Sequence, residues 1–61
     1  MWTVVYIAKN NELAQKLRTA LCERNIMVML RAINKDADTG FEILVPGAEV
    51  DEALSIIIDE V

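Results

Sequence analysis

Few side chains in this 61-residue chain can do chemistry, and their spacing sorts them. Lys9 and Asn10 stand just ahead of a helical pattern, where free backbone N–H groups attract anions. With Arg31, if the sheet brings it near, they make a candidate site for a small ligand such as an amino acid or a nucleotide. The same residues have a plainer use, because asparagine caps helices and Lys9-Asn10-Asn11 makes a turn. Cys22 is the single cysteine, so no internal disulfide can form. It sits beside an apolar stripe near the negative end of the first helix, a place that does not activate a nucleophile, and reads as core filler. Asp36, Asp38, Gly40 and Glu42 resemble a calcium loop in composition alone, since such a loop sets alternating ligands, then glycine, then a distant glutamate at fixed intervals. A solvated turn is expected there. Histidine is absent, which removes Cys/His zinc sites and histidine acid–base pairs. Neither a catalytic constellation nor a metal or cofactor site is expected.

Charge narrows the partners. Ten acidic residues face six basic ones, for a net charge of −4. The basic residues are scattered and leave no footprint for phosphates, so nucleic acid and anionic membrane surfaces are disfavoured. No apolar run approaches the ~20 residues of a membrane-spanning helix. No basic segment precedes the apolar start, as a signal peptide would require, and a cytoplasmic protein is the expectation. The hydrophobic share is 54%, above the usual 45–50% or so. That excess suits one domain, residues 1–61, with more than one apolar face.

These residues need elements to position them. Trp2 to Ala8 is rich in β-branched and aromatic residues and reads as a strand. Leu13, Leu17, Ala20 and Leu21 follow the spacing of one helical stripe, with Glu12 and Lys16 as an i,i+4 pair on the wet side. Asn25 fits the left-handed residue that ends a helix. Ile26 to Ile33 reads as a second strand and Phe41 to Val45 as a third, stopped by Pro46. A second helix follows from about Glu49, with Val50, Leu54, Ile57, Ile58 and Val61 as its buried stripe. The two helical stripes share their spacing at an offset of 37 residues, as two related strand–helix units would.

Pairing Arg31 with Glu42 sets the hairpin. Met29 then faces Leu44, Leu30 faces Ile43, Val28 faces Val45 and Ala32 faces Phe41. One face becomes wholly apolar, and a one-residue slip would destroy it. A right-handed crossover makes strands one and two parallel, and strand three fits between them. The expected fold is α+β: a ferredoxin-like βαββα unit lacking the fourth strand, sheet order 1-3-2, both helices on one face. The other face is not hydrophilic. Trp2, Val4, Tyr6, Met27 and Met29 are the candidate interface, with Val5 and Ile7 pointing at the helices. Such a patch marks association, here a homodimer formed through the first strand or through the second sheet face.

The layout resembles a small bacterial domain family described as signal-transducing proteins of unknown function. The matching residues are Val5-Tyr6-Ile7-Ala8, Ala14, Leu17, Leu21, Ile26, Phe41-Glu42-Ile43-Leu44-Val45-Pro46, Val50 and Ala53-Leu54. Similar proteins often carry glycine at Asn25 and a polar residue at Gly47. Some similar chains bear a glutamate decarboxylase label. A pyridoxal-phosphate enzyme needs a Schiff-base lysine, a partner for the ring nitrogen and a phosphate cradle in a closed site, whereas Lys9, Lys16 and Lys35 fall at exposed positions. The expectation is a non-enzymatic interaction or regulatory module acting as a homo-oligomer. The alternative is a small-ligand sensor binding at the dimer seam.

Overall fold

The computed structural model describes residues 1–34 and 40–61. Lys35, Asp36 and Asp38, and with them the expected acidic turn, lie outside the described residues. The elements run β1 (Trp2–Ala8), α1 (Asn11–Cys22), β2 (Met29–Ala32), β3 (Phe41–Pro46), a 3-10 turn (Gly47–Glu49) and α2 (Val50–Glu60). The sheet order is β1-β3-β2, with both pairings antiparallel. This is the expected α+β, ferredoxin-like layout, with no fourth strand among the described residues.

Asn10 starts α1. Its side-chain oxygen accepts the Leu13 N–H at 2.8 Å, satisfying a donor that the first turn leaves free. The far end closes on Asn25, whose φ of 64° is left-handed. Asn25 N–H donates to the Cys22 carbonyl at 2.9 Å, and Ile26 N–H donates to the Leu21 carbonyl at 3.1 Å. Those two bonds are a Schellman closure, completed by apolar residues at its ends; Ile26 and Leu21 are both buried. Ile26 is therefore spent on ending α1, and β2 begins at Met29, three residues later than its apolar run suggests.

The hairpin register is the one the sequence predicts: Met29 faces Leu44, Leu30 faces Ile43, Arg31 faces Glu42 and Ala32 faces Phe41. Arg31 Nε donates to Glu42 Oε1 at 2.6 Å. β3 runs one residue further than expected, and Pro46 opposes Trp2. Gly47 N–H bonds Met1 on the β1 side, so alternation turns Pro46 toward β2. That strand has already ended there, and the missing N–H costs no ladder bond. At the other end Gly40 takes φ 82°, and a Cβ there would sit 3.3 Å from Ile33 Cδ1. Its carbonyl accepts from Ile33 N–H at 2.9 Å and its N–H donates to the Lys9 carbonyl at 3.2 Å.

One core joins Ala14, Leu17 and Leu21 of α1, Ile43 and Val45 of β3, and Ala53, Ile56 and Ile57 of α2, which puts both helices on one face. The buried stripe of α1 is rotated slightly from expectation, with Leu13 and Ala20 at its margin. Cys22 falls outside it and is exposed, not core filler. Lys16 reaches across to the Glu60 carbonyl at 3.1 Å and makes no ion pair with Glu12. The accessible surface of 4068 Å² matches the roughly 4,000 Å² of a monomer of this mass, so any lack of cover is local.

The left-handed turn gives the first expected outcome. Asn25→Gly keeps or raises stability, while Asn25→Val lowers it by about 1–2 kcal/mol, or roughly 4–16 °C in melting temperature for so small a domain. Thermal unfolding followed by circular dichroism at one fixed concentration reads both, and equal melting points would remove the turn from the account.

Candidate functional site

The surface that stands out is built on β1. Its register against β3 slips between Val4 and Tyr6, so Val5 is an extra residue. Such a bulge puts two neighbours on one side and reverses the alternation beyond it. Val5 and Tyr6 both pack against the core, and Ala8 is buried. Trp2, Val4 and Ile7 take the opposite face, exposed to 41%, 40% and 56%. The facing expected for Tyr6 and Ile7 is thus exchanged, because the bulge lies between them and Val4.

The same alternation orients the backbone. Odd-numbered residues of β3 turn their hydrogen bonds to β1, as Gly47 does toward Met1, which occupies Thr3, Tyr6 and Ala8. Trp2, Val4 and Ile7 therefore aim their N–H and C=O groups at the free edge. β1 is a seven-residue edge without a charge, whereas β2, the other edge, has four residues and carries Arg31. Short, charged edges resist pairing and long apolar ones invite it.

Helix α2 supplies the roof of this edge. Ala53, Ile56 and Ile57 are its buried residues, while Leu54, Ile58 and Val61 are exposed, Ile58 to 70%. The expected single stripe is really two, set about 100° apart round the helix at 3.6 residues per turn. Glu60 borders α1, and Leu54 and Ile58 lie about 120–160° round the helix from it, on the side away from α1, while Val61, past the helix end, returns toward Leu13 and Lys16. Both helices pack chiefly on β1 and β3, so α2 overhangs the β1 edge. The end of β1 and the last turn of α2 meet in an open groove of about 400 Å³, lined by Tyr6, Ile7, Lys9, Leu13, Lys16, Glu60 and Val61.

The second face of the sheet is centred on Leu44. It is only 3% exposed although it lies away from both helices, flanked across the ladder by Val4 and Met29. Met29 is half-buried, and Met27, before β2 begins, is exposed. The expected ligand trio does not converge. Lys9 reaches the groove, but the Asn10 side chain is taken by its cap. Arg31 lies two strands, or about 10 Å, from β1 and is held by Glu42.

Ile7, Leu54 and Ile58 are the surface residues that sequence reasoning missed. The signal was present in α2, whose seven apolar residues between Val50 and Val61 are more than one stripe of three turns can hold. Comparisons with protein-family models, with curated proteins and with solved structures find no match to this chain.

The division of α2 has a direct check. Ile58→Glu shifts unfolding free energy by no more than about 0.5 kcal/mol, whereas Ile57→Ala costs about 2–5 kcal/mol. Urea denaturation of both variants decides, and comparable losses would show that the two stripes are not distinct.

Proposed function

We propose that the chain is a non-enzymatic interaction module that associates with a second copy through the face of its sheet away from the helices. The observation that carries this reading is the apolar patch of Trp2, Val4 and Met29 round the buried Leu44, on a face that no helix among the described residues covers. Two such faces stack at about 10 Å with their side chains interleaved. Aromatic residues and methionine are the types enriched at interface cores. The Arg31–Glu42 pair marks the polar side of the patch and suits its rim, since burying it would be costly. A regulatory or scaffolding role fits such a module.

Edge-to-edge pairing of two β1 strands is the weaker route. A two-fold axis normal to the sheet, set half a strand spacing beyond β1, would run through the overhanging α2 and superpose it on its mate. Three strands are about 14 Å wide and two helices about 20 Å, so six strands cannot carry four helices on one side.

Ligand sensing remains the second reading, favoured by the groove beside Lys9. A metabolite that raised the melting temperature, with the rise lost in Lys9→Ala, would move the assignment there.

Size exclusion with light scattering tests the main reading. At about 100 μM the expected mass is twice 6.8 kDa, falling toward the single-chain value on dilution. Val4→Lys, placing a charge in the patch, yields a folded monomer. A wild-type monomer at that concentration, or a dimer indifferent to Val4→Lys, would overturn the proposal.

A further inference from the structure

A second surface on this molecule has a different occupant. We infer that the free edge of β1, roofed by Leu54 and Ile58 of α2, is a socket for one extended strand from another protein, a strand that brings no helices of its own. The inference does not depend on self-association through the sheet face.

The argument is one of widths. Two packed helices span about 20 Å, three strands about 14 Å and four strands about 19 Å. The helical layer is thus one strand wider than the sheet beneath it. Both helices pack chiefly on β1 and β3, so the deficit falls beside β1, where Trp2, Val4 and Ile7 turn their unpaired backbone groups outward. Leu54 and Ile58 are exposed on the helix that packs most on β1, and we place them over that gap. An added strand satisfies the backbone groups by sheet augmentation and gives those side chains a floor. An antiparallel second copy cannot serve, because its own α2 would need the same space, and a parallel one would depart from the antiparallel pairing of both ladders in the sheet.

Charge defines the occupant further. Lys9, exposed and without an ion pair among the described residues, stands at the C-terminal end of β1. Glu49, Asp51 and Glu52 surround the start of α2, which lies near Met1 and Trp2 because Gly47 bonds Met1. Every pairing in the sheet is antiparallel. An antiparallel newcomer enters beside Lys9 and leaves beside the acidic turn. The matching segment is extended, alternates aliphatic with polar residues, begins acidic and ends basic.

The test uses a short synthetic peptide of alternating threonine and valine, opened by aspartate and closed by lysine, together with its charge-reversed twin. In NMR titration of the full chain the first peptide should shift the amides of Trp2, Val4 and Ile7 saturably. The twin should bind at least threefold more weakly. Ile58→Glu, at a site exposed enough to keep the fold, should weaken binding at least tenfold. Affinity in trans can be low, so the same strand is also tethered after Val61 by a glycine–serine linker. There it should slow hydrogen exchange of the Trp2 and Val4 amides at least tenfold and raise the melting temperature. Shifts centred on Leu44 and Met29, or a tethered strand that protects neither Trp2 nor Val4, would overturn the socket. A light-scattering mass of one copy or two leaves this test untouched.

Discussion

A mismatch of widths governs this molecule. Two helices need more floor than three strands provide, and the geometry of each layer is fixed by backbone sterics and hydrogen bonding rather than by side-chain choice. Both helices pack chiefly on β1 and β3, which puts the surplus on the β1 side, and α2 buries Ala53, Ile56 and Ile57 while Leu54 and Ile58 stay exposed. The rest follows from that offset. β2 lies toward the thin side of the helical layer, with Ala32 exposed and Leu30 only partly buried. β1 lies under cover yet unpaired along its outer edge.

Such an edge is an aggregation hazard, and two features contain it. The bulge at Val5 breaks the regular spacing of outward backbone groups at Trp2, Val4 and Ile7, so a long uninterrupted ladder cannot form against it. The position of α2 over β1 obstructs a newcomer that carries a helical layer on the same face. In the proposed socket selectivity is steric before it is chemical: the edge would take a lone strand and refuse an antiparallel folded copy. The opposite edge relies on brevity and on Arg31, which is half tied up by Glu42.

The sequence made most of the scaffold legible. Hairpin register was readable because one alignment alone satisfied both an apolar face and the Arg31–Glu42 pair, and side-chain alternation punishes any slip. The caps at Asn10 and Asn25 were readable because few residues do those jobs. The facing of β1 was not, since both of its faces are apolar and a bulge leaves no mark on such a pattern. Ile26 read as strand because a buried closure residue and a buried strand residue look alike. The two stripes of α2 merged into one because leucine and isoleucine do not announce which of two sides they serve. Of the candidate ligand residues, Lys9 borders the groove beside β1; Arg31 was separable only with strand order and facing in hand.

Both proposed surfaces draw on the same three residues, and this ties them together. Trp2, Val4 and Ile7 send side chains to the sheet face and backbone groups to the free edge. Edge strands open more readily than central ones, and ordering them costs conformational entropy. A partner on either surface would meet that cost for both, so occupancy of one should strengthen the other without any change of shape. The size of the domain makes the effect large. Among the described residues only Leu17, Leu21, Ile43 and Val45 are large side chains fully out of solvent, and a chain of this length holds a net stability of roughly 3–9 kcal/mol. A strand pairing or a face contact worth even a few kcal/mol is comparable to that total. With either proposed surface occupied, folding and binding would become close to a single thermodynamic problem, solved along β1.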